Sequence, residues 1–390
     1  MDALLTHEVG SMAKPSWRVK PFRRMRLTDE DLKEARDWGT KLDIEAAETD
    51  ELLELLSKRE GFSEEERMRI VRFSSLYGLR LQEKAGLDIV WDGEQQRVEM
   101  YEHPVKRMTG FEFRGHVRSF DDKYYRKASC VGRPGLKEDL HTGEYRSVAG
   151  MARKPVKVPV TGAYTIVDWS FDEHYVKDIE PGATAIRDLR KEARAAFLSD
   201  VAREVIHPTL RSLQEAGARN IQIDEPAATT KRDEIAEFVN SVEESVGELR
   251  GRAFFTIHIC FSNYDLLFPE IRRLEGVLDE VHLEYANRDS RELGTSPARR
   301  TGYEILKQMK ETSFVAGVGV VDIHSDFIEP PELVRDRVLY AVEVIGDPGR
   351  VRIAPDCGLR TRTWDVSLAK LRNMVDGVHL ANQQIGGRHT

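Results

Sequence analysis

Arg252–Asn263 reads RAFFTIHICFSN. Ala253–Ile257 is apolar and rich in β-forming residues, and it runs into His258-Ile259-Cys260. In an extended strand, residues i and i+2 project to the same side, so the His258 imidazole and the Cys260 thiol stand together. That pair suits a borderline-soft metal such as zinc. It equally suits a core strand that buries both. The chain around this strand decides between the two.

Downstream, strand-like runs near 280–285, 314–321 and 350–354 alternate with helical patterns at about 264–275, 297–311, 331–346 and 365–376. Upstream lie a helix at 231–249, a buried-type strand at 220–224, a long helix at 184–216 stopped by Gly217, and a strand at 156–166. The first ninety residues add strands near 5–10 and 88–93 around a helical segment. Thr28 with Asp31 opens one helix, a second follows at 44–56, and Ser63 with Glu66 forms a capping box for a third that Gly86 ends. The basic stretch Lys14–Arg26 is expected on the surface, and the tail after Gly377 is expected to fray. About eight strands separated by helices predict a parallel sheet with crossover helices, and eight units favour a closed (β/α)8 TIM barrel over an open doubly wound sheet. The expected organisation is α/β, with a single barrel over 1–390 that carries an N-terminal helical segment. Residues 95–153 form an insertion of short strands and loops after the second strand. No G-x-G-x-x-G joins a strand to a helix, and Gly317-Val318-Gly319 falls inside a strand, so no dinucleotide fingerprint is present.

Composition removes several classes. With 390 residues, 40% hydrophobic and 32% charged, the chain is that of an ordinary globular protein. A net charge of −8 without a basic stripe argues against nucleic acid. No apolar run approaches the roughly 20 residues of a membrane span, and MDALLTHEVG lacks the pattern of a secretory signal. Three cysteines are no disulfide framework, so a reducing, cytoplasmic setting is expected.

In a barrel of this kind, functional residues stand at the C-terminal ends of strands. Those ends carry Gly10-Ser11, Asp92 and Glu94, Asp168 and Trp169, Asp224 and Glu225, His258 and Cys260, Glu284, Asp322 and His324, and Asp356 and Cys357. His258, Cys260, Glu284 and Cys357 would offer zinc one nitrogen, two thiolates and one carboxylate. Taken singly, Glu284 could be a solvated loop acid and Cys357 a small buried hydrophobe.

Gln222-Ile-Asp-Glu-Pro-Ala227, His258-Ile-Cys260, Glu284, Asp322-Ile-His-Ser325 and Pro355-Asp-Cys-Gly-Leu359 resemble, in order and closely in spacing, the motif series of cobalamin-independent methionine synthase, specifically its C-terminal catalytic barrel. The similarity runs over essentially the whole chain and is weakest in 15–85 and 95–150. It implies that His258, Cys260, Glu284 and Cys357 hold one zinc ion, and that methyl transfer to the zinc-activated thiol of homocysteine makes methionine. By the same resemblance Val9-Gly10-Ser11 holds the homocysteine carboxylate, Glu94 and Asp224 meet its amino group, His324 donates a proton, and Trp169 stacks on the pterin of a folate donor. The chemistry agrees: a coordinating metal deprotonates a thiol, carboxylates suit an ammonium, and a hydroxyl with main-chain N–H groups suits a carboxylate.

Two departures bear on the donor. The chain is expected to act without the second, N-terminal barrel of the full-length family. Ala228-Thr229-Thr230-Lys231 also stands where the family carries a pterin-binding glutamate. Ser129-Cys130 echoes the family's folate-binding Arg/Ser-Cys element only loosely. The donor expected from the sequence is therefore methylcobalamin or a methylcorrinoid on a carrier protein, with methyltetrahydrofolate the alternative. Corrinoid:coenzyme M methyltransferases share an H-x-C…C zinc pattern, and zinc-free uroporphyrinogen decarboxylases share the barrel. The acids at Glu94 and Asp224 suit an α-amino group, which coenzyme M lacks. A zinc-stabilised binding module is the non-enzymatic alternative. It fits poorly, because structural sites are usually local in sequence and these ligands span about 100 residues.

Overall fold

The computed structural model describes residues 4–118 and 124–387. Ten strands are assigned among them: β1 Leu5–Thr6, β2 Met108–Arg118, β3 Tyr124–Leu136, β4 Lys157–Thr161, β5 Phe171–Asp172, β6 Asn220–Asp224, β7 Phe254–Ile259, β8 Glu280–Leu283, β9 Val315–Val321 and β10 Val351–Pro355. Seven form a curled parallel sheet in the order β1-β10-β9-β8-β7-β6-β4. Helices and turns carry the chain back between successive strands, as parallel pairing requires. The strands are buried on both faces, which explains why they read as near-continuous apolar runs.

The strand expected at 88–93 is reduced to two isolated parallel bridges. Ile89 pairs with His7 beyond β1, and Val90 pairs with Val156 beyond β4. The Ile89 N–H donates to the Thr6 carbonyl (3.1 Å), and the Val90 carbonyl accepts from the Lys157 N–H (3.1 Å), so this short segment touches both edges of the sheet.

Helix signals fared well where caps were explicit. Helix Glu64–Ala85 starts with the Ser63 hydroxyl accepting from the Glu66 N–H (3.1 Å) and the Glu66 carboxylate accepting from the Ser63 N–H (2.6 Å). It stops at Gly86, which adopts φ 93. The Asp31 carboxylate accepts from the Thr28 N–H (2.7 Å) at the head of Asp29–Lys41.

Several expectations are corrected. Lys14–Arg26 is a surface run only in its second half: helix Ser16–Phe22 buries Trp17, Arg18 and Pro21, while Phe22 to Arg26 are exposed. The strand at 156–166 ends at Thr161 and gives way to helix Ala163–Asp168. The helices expected at 264–275 and 297–311 are mostly 3-10 turns, with one short helix at Leu306–Lys310. Pro269 explains the first, because it removes a donor mid-run. Gly377 does not end the last helix, which runs Trp364–Gly387. Gly377 instead lies against Val334 and the Pro331 carbonyl, where a Cβ would clash, so it is a helix-crossing point. Residues 388–390 of the expected frayed tail lie outside the described residues. Within 95–153, β2 and β3 form one long antiparallel pair rather than short strands, with β5 added beside β3.

Candidate metal and amino-acid site

The register of the sheet assembles the site. In β6, β7 and β8, Asp224, His258 and His282 are neighbours across adjacent strands, so their side chains share one face. Cys260 follows β7 and Cys357 follows β10. One ligand atom each from His258, Cys260 and Cys357 lie within 4.8 Å of one another. His258 Nε2 is buried and has no hydrogen-bond partner among the described residues. Burial holds the His258 ring neutral, with its pKa down at about 3. The Cys260 thiol is pushed well above the usual range by its hydrogen bond with Cys357, then by burial. A buried imidazole grouped with two thiols is the donor set of a zinc site, so the residues fit that ion.

Glu284 sits next to this trio but is directed by other contacts. Its Oε2 accepts from the Phe261 N–H (2.9 Å), while its Oε1 lacks a hydrogen bond and lies 3.4 Å from His324 Nε2. That carboxylate is what raises the His324 pKa. His324 is 32% exposed and its ring packs edge-on against Phe261 at 4.7 Å.

Asp356, a strand-end acid in the sequence, has a structural task. Its oxygens accept from the backbone N–H groups of Tyr285 (2.9 Å), Ala286 (2.9 Å) and Asn287 (2.6 Å). The loop that follows Glu284 is thereby tied to the loop that carries Cys357. Burial lifts the Asp356 pKa to about 7 despite these bonds. Glu225 likewise accepts from the N–H groups of Tyr164 (3.0 Å) and Thr165 (2.7 Å), anchoring the start of helix Ala163–Asp168.

Beside the trio stands a cluster of buried acids. Gly93 (φ 75) and Glu94 (φ 57) are both left-handed, a turn that costs about 1–3 kcal/mol at a non-glycine residue and is found at functional sites. Gly10 faces the Glu94 carboxylate so closely that an added Cβ would meet Oε1 at 2.9 Å. The Asp224 carboxylate accepts from Gln222 Nε2 (2.6 Å), which also donates to the Val9 carbonyl (2.8 Å). Burial, then Glu94, lifts the Asp224 pKa to about 8. Ser11 packs against Gly358, directly after Cys357.

Three members of this interior carry no signal in the sequence. Glu8 is 1% exposed and neither carboxylate oxygen has a side-chain hydrogen-bond partner among the described residues, while the Gly10 N–H acts on it. Burial lifts its pKa to about 8, with Lys157 opposing and Glu94 and Asp224 adding to the rise. Lys157 donates to Gln222 Oε1 (2.5 Å) and lies 2.8 Å from His7 Nδ1. His282 is fully buried against His258. An acid next to a valine-glycine turn, and a lysine or histidine inside a strand, carry no periodic signal. Only the inward register reveals them.

Trp169 follows helix Ala163–Asp168 and packs against Tyr125 (5.6 Å) and Tyr101 (6.1 Å). Its neighbour Asp168 is fully engaged: Oδ1 accepts from Arg194 (2.9 Å) and Lys231 (2.8 Å), and Oδ2 from the Thr230 hydroxyl (3.1 Å). Cys130 lies fully buried in β3, its thiol donating to the Gly132 carbonyl (3.2 Å), and burial pushes its pKa to about 12.

His103, His141 and Glu144 form a second compact ligand cluster. Arg97 rules it out as a cation site, because its guanidinium takes both Glu144 oxygens (2.8–3.0 Å). Arg97 also donates to the Pro159 carbonyl and lies 3.7 Å from Glu94. The cluster is a buried brace behind the buried acids.

The family model "Cobalamin-independent synthase, Catalytic domain" matches residues 45–379. A methionine synthase of Thermoplasma acidophilum is 38% identical over 96% of this chain and 97% of its own length. One from Thermococcus kodakarensis is 34% identical over 99% of this chain and 95% of its own. Among solved structures, a B12-independent methionine synthase from Shewanella sp. W3-18-1, in complex with selenomethionine, superposes with a TM-score of 0.74 at 20% identity, covering 99% of this chain and all of that one.

Proposed function

The chain belongs to the cobalamin-independent methionine synthase family, and from that premise we propose that it transfers a methyl group to the thiol of homocysteine on a zinc centre made by His258, Cys260, Glu284 and Cys357. The observation that carries this is the buried His258 ring, its Nε2 without a partner, grouped with two thiols. Zinc bound there would hold the substrate sulfur as a thiolate near neutral pH. The protein's own residues supply the rest. Glu94 and Asp224 receive the substrate ammonium. Ser11 and the N–H groups of Val9-Gly10-Ser11 receive its carboxylate, while the Val9 carbonyl is held by Gln222. His324 holds a proton at Nε2 beside Glu284. The acids at this site disfavour coenzyme M, an anionic thiol without an amino group.

The same reading takes the chain as one catalytic domain whose sheet closes as a (β/α)8 barrel through the bridging segment 89–90, with 95–153 inserted behind it.

For the donor we propose a methylcorrinoid, free or on a carrier protein. A pterin ring stacked on Trp169 needs acceptors for its amide and amino N–H groups. Asp168, beside Trp169, already accepts from Arg194, Lys231 and Thr230, and Ala228-Thr229-Thr230-Lys231 offers no carboxylate. Methyltetrahydrofolate has one observation in its favour. Its leaving nitrogen needs a proton, and His324, with a raised pKa, could give one. Methionine formation from homocysteine with methylcobalamin and with mono- and polyglutamylated methyltetrahydrofolate, at matched concentrations, separates the two. A faster reaction with either folate removes the corrinoid reading and gives His324 the proton-donor role.

A further inference from the structure

His282 lies one strand over from His258, paired with it in register. Its Nδ1 is 2.7 Å from His258 Nδ1. Two ring nitrogens at that distance must share one proton between them, one donating and one accepting. Both rings are buried, where an unpaired charge is costly. A neutral imidazole carries one N–H, so only two arrangements exist. If His282 donates, His258 has its proton on Nε2 and that atom cannot ligate a metal. If His258 donates, its Nε2 lone pair is bare; both Nε2 atoms are buried without a partner, and it is His258, not His282, that stands with Cys260 and Cys357.

We propose that His282 is a positioning residue for the metal centre: its Nδ1 accepts the His258 Nδ1–H and so fixes His258 in the tautomer that presents Nε2 to a divalent cation. This rests on the reading of His258 as a zinc ligand. Two features hold the His282 ring in place beside His258. His7 packs edge-on against His282 at 5.7 Å, limiting ring rotation. Gly317, opposite His282 in β9, leaves room for it, since a Cβ there would come within 2.7 Å of His282 Cβ. The glycine inside the VAGVGVV strand thus has a reason in the packing of this ring. Ligating histidines are held in one tautomer by such acceptors, and removing the acceptor costs about 10–100-fold in metal affinity.

The test is zinc affinity, by competition with a chromophoric chelator, for wild type, His282→Leu and His282→Asn. Asparagine can place its Oδ1 where His282 Nδ1 stands. Affinity should fall about 10–100-fold in His282→Leu and be largely restored in His282→Asn. Equal affinity in all three overturns the proposal, as does an equal loss in both variants, which would make His282 itself a ligand. Nitrogen-15 NMR of zinc-loaded wild type reads the tautomer directly and needs no variant to fold. His258 should carry its proton on Nδ1, and a proton on Nε2 refutes the proposal. Failure of wild type to bind zinc at all would instead strike the proposed function.

Discussion

Consider replacing Glu94 by glutamine. The change keeps the shape of the side chain and one acceptor oxygen but removes the charge. Glu94 is buried, held in a left-handed turn, and pressed against Gly10. Its cationic neighbour Arg97, 3.7 Å away, keeps its paired bonds to Glu144, so the fold should survive. A hydrogen bond to a charged group contributes about 1.5–3 kcal/mol, and about 1.4 kcal/mol is tenfold in affinity. We therefore predict homocysteine binding weakened by about 10–150-fold in Glu94→Gln. Calorimetric titration should be run with homocysteine and with a matched thiol that lacks the amino group. The second thiol should bind wild type and variant nearly alike. An equal loss with both ligands would show that Glu94 does not meet the ammonium, and the assignment of the acidic cluster would fall.

Glu8→Gln should stabilise the ligand-free protein at pH 8. The native carboxyl, raised to about 8 from an ordinary 4.5, holds its proton through that window while the unfolded one has lost it, so wild-type stability falls as pH rises from about 4.5 to 8. Denaturant unfolding at pH 5 and pH 8 should show the variant gaining at least about 1 kcal/mol at the higher pH, and a loss there would mean Glu8 is paired as an anion. Gly358→Ala places a Cβ against the Ser11 hydroxyl and within 3.0 Å of the Ser11 backbone nitrogen. It should weaken homocysteine binding at least about tenfold through the carboxylate grip, with zinc content unchanged. Unaltered binding would remove Ser11 from the site.

Much of this was legible in the chain because its signals were chemical rather than statistical. The strand Asn220–Asp224 and the helix Glu64–Ala85 match their sequence readings almost residue for residue. A buried run with a glycine before it, and a capping box with a glycine after it, leave few alternatives. His258, Cys260 and Cys357 converge as their strand-end positions implied. Other readings failed where a residue had two meanings. Gly377 looked like a helix stop and is a crossing point, while Lys14–Arg26 looked solvated and hides Trp17. The antiparallel pair Met108–Arg118 and Tyr124–Leu136 was obscured by glycines that sit at shifts in its register. Glu8, Lys157 and His282 were invisible because their meaning comes from partners up to 150 positions away.

The central claim is a zinc centre built by His258 and the two cysteines, and metal content tests it most directly. Protein purified without chelator should hold about one zinc per chain, the count for a single four-ligand site. The Cys260→Ser/Cys357→Ser double variant, folded by circular dichroism, should hold almost none. Full zinc retention in that double variant would contradict the account.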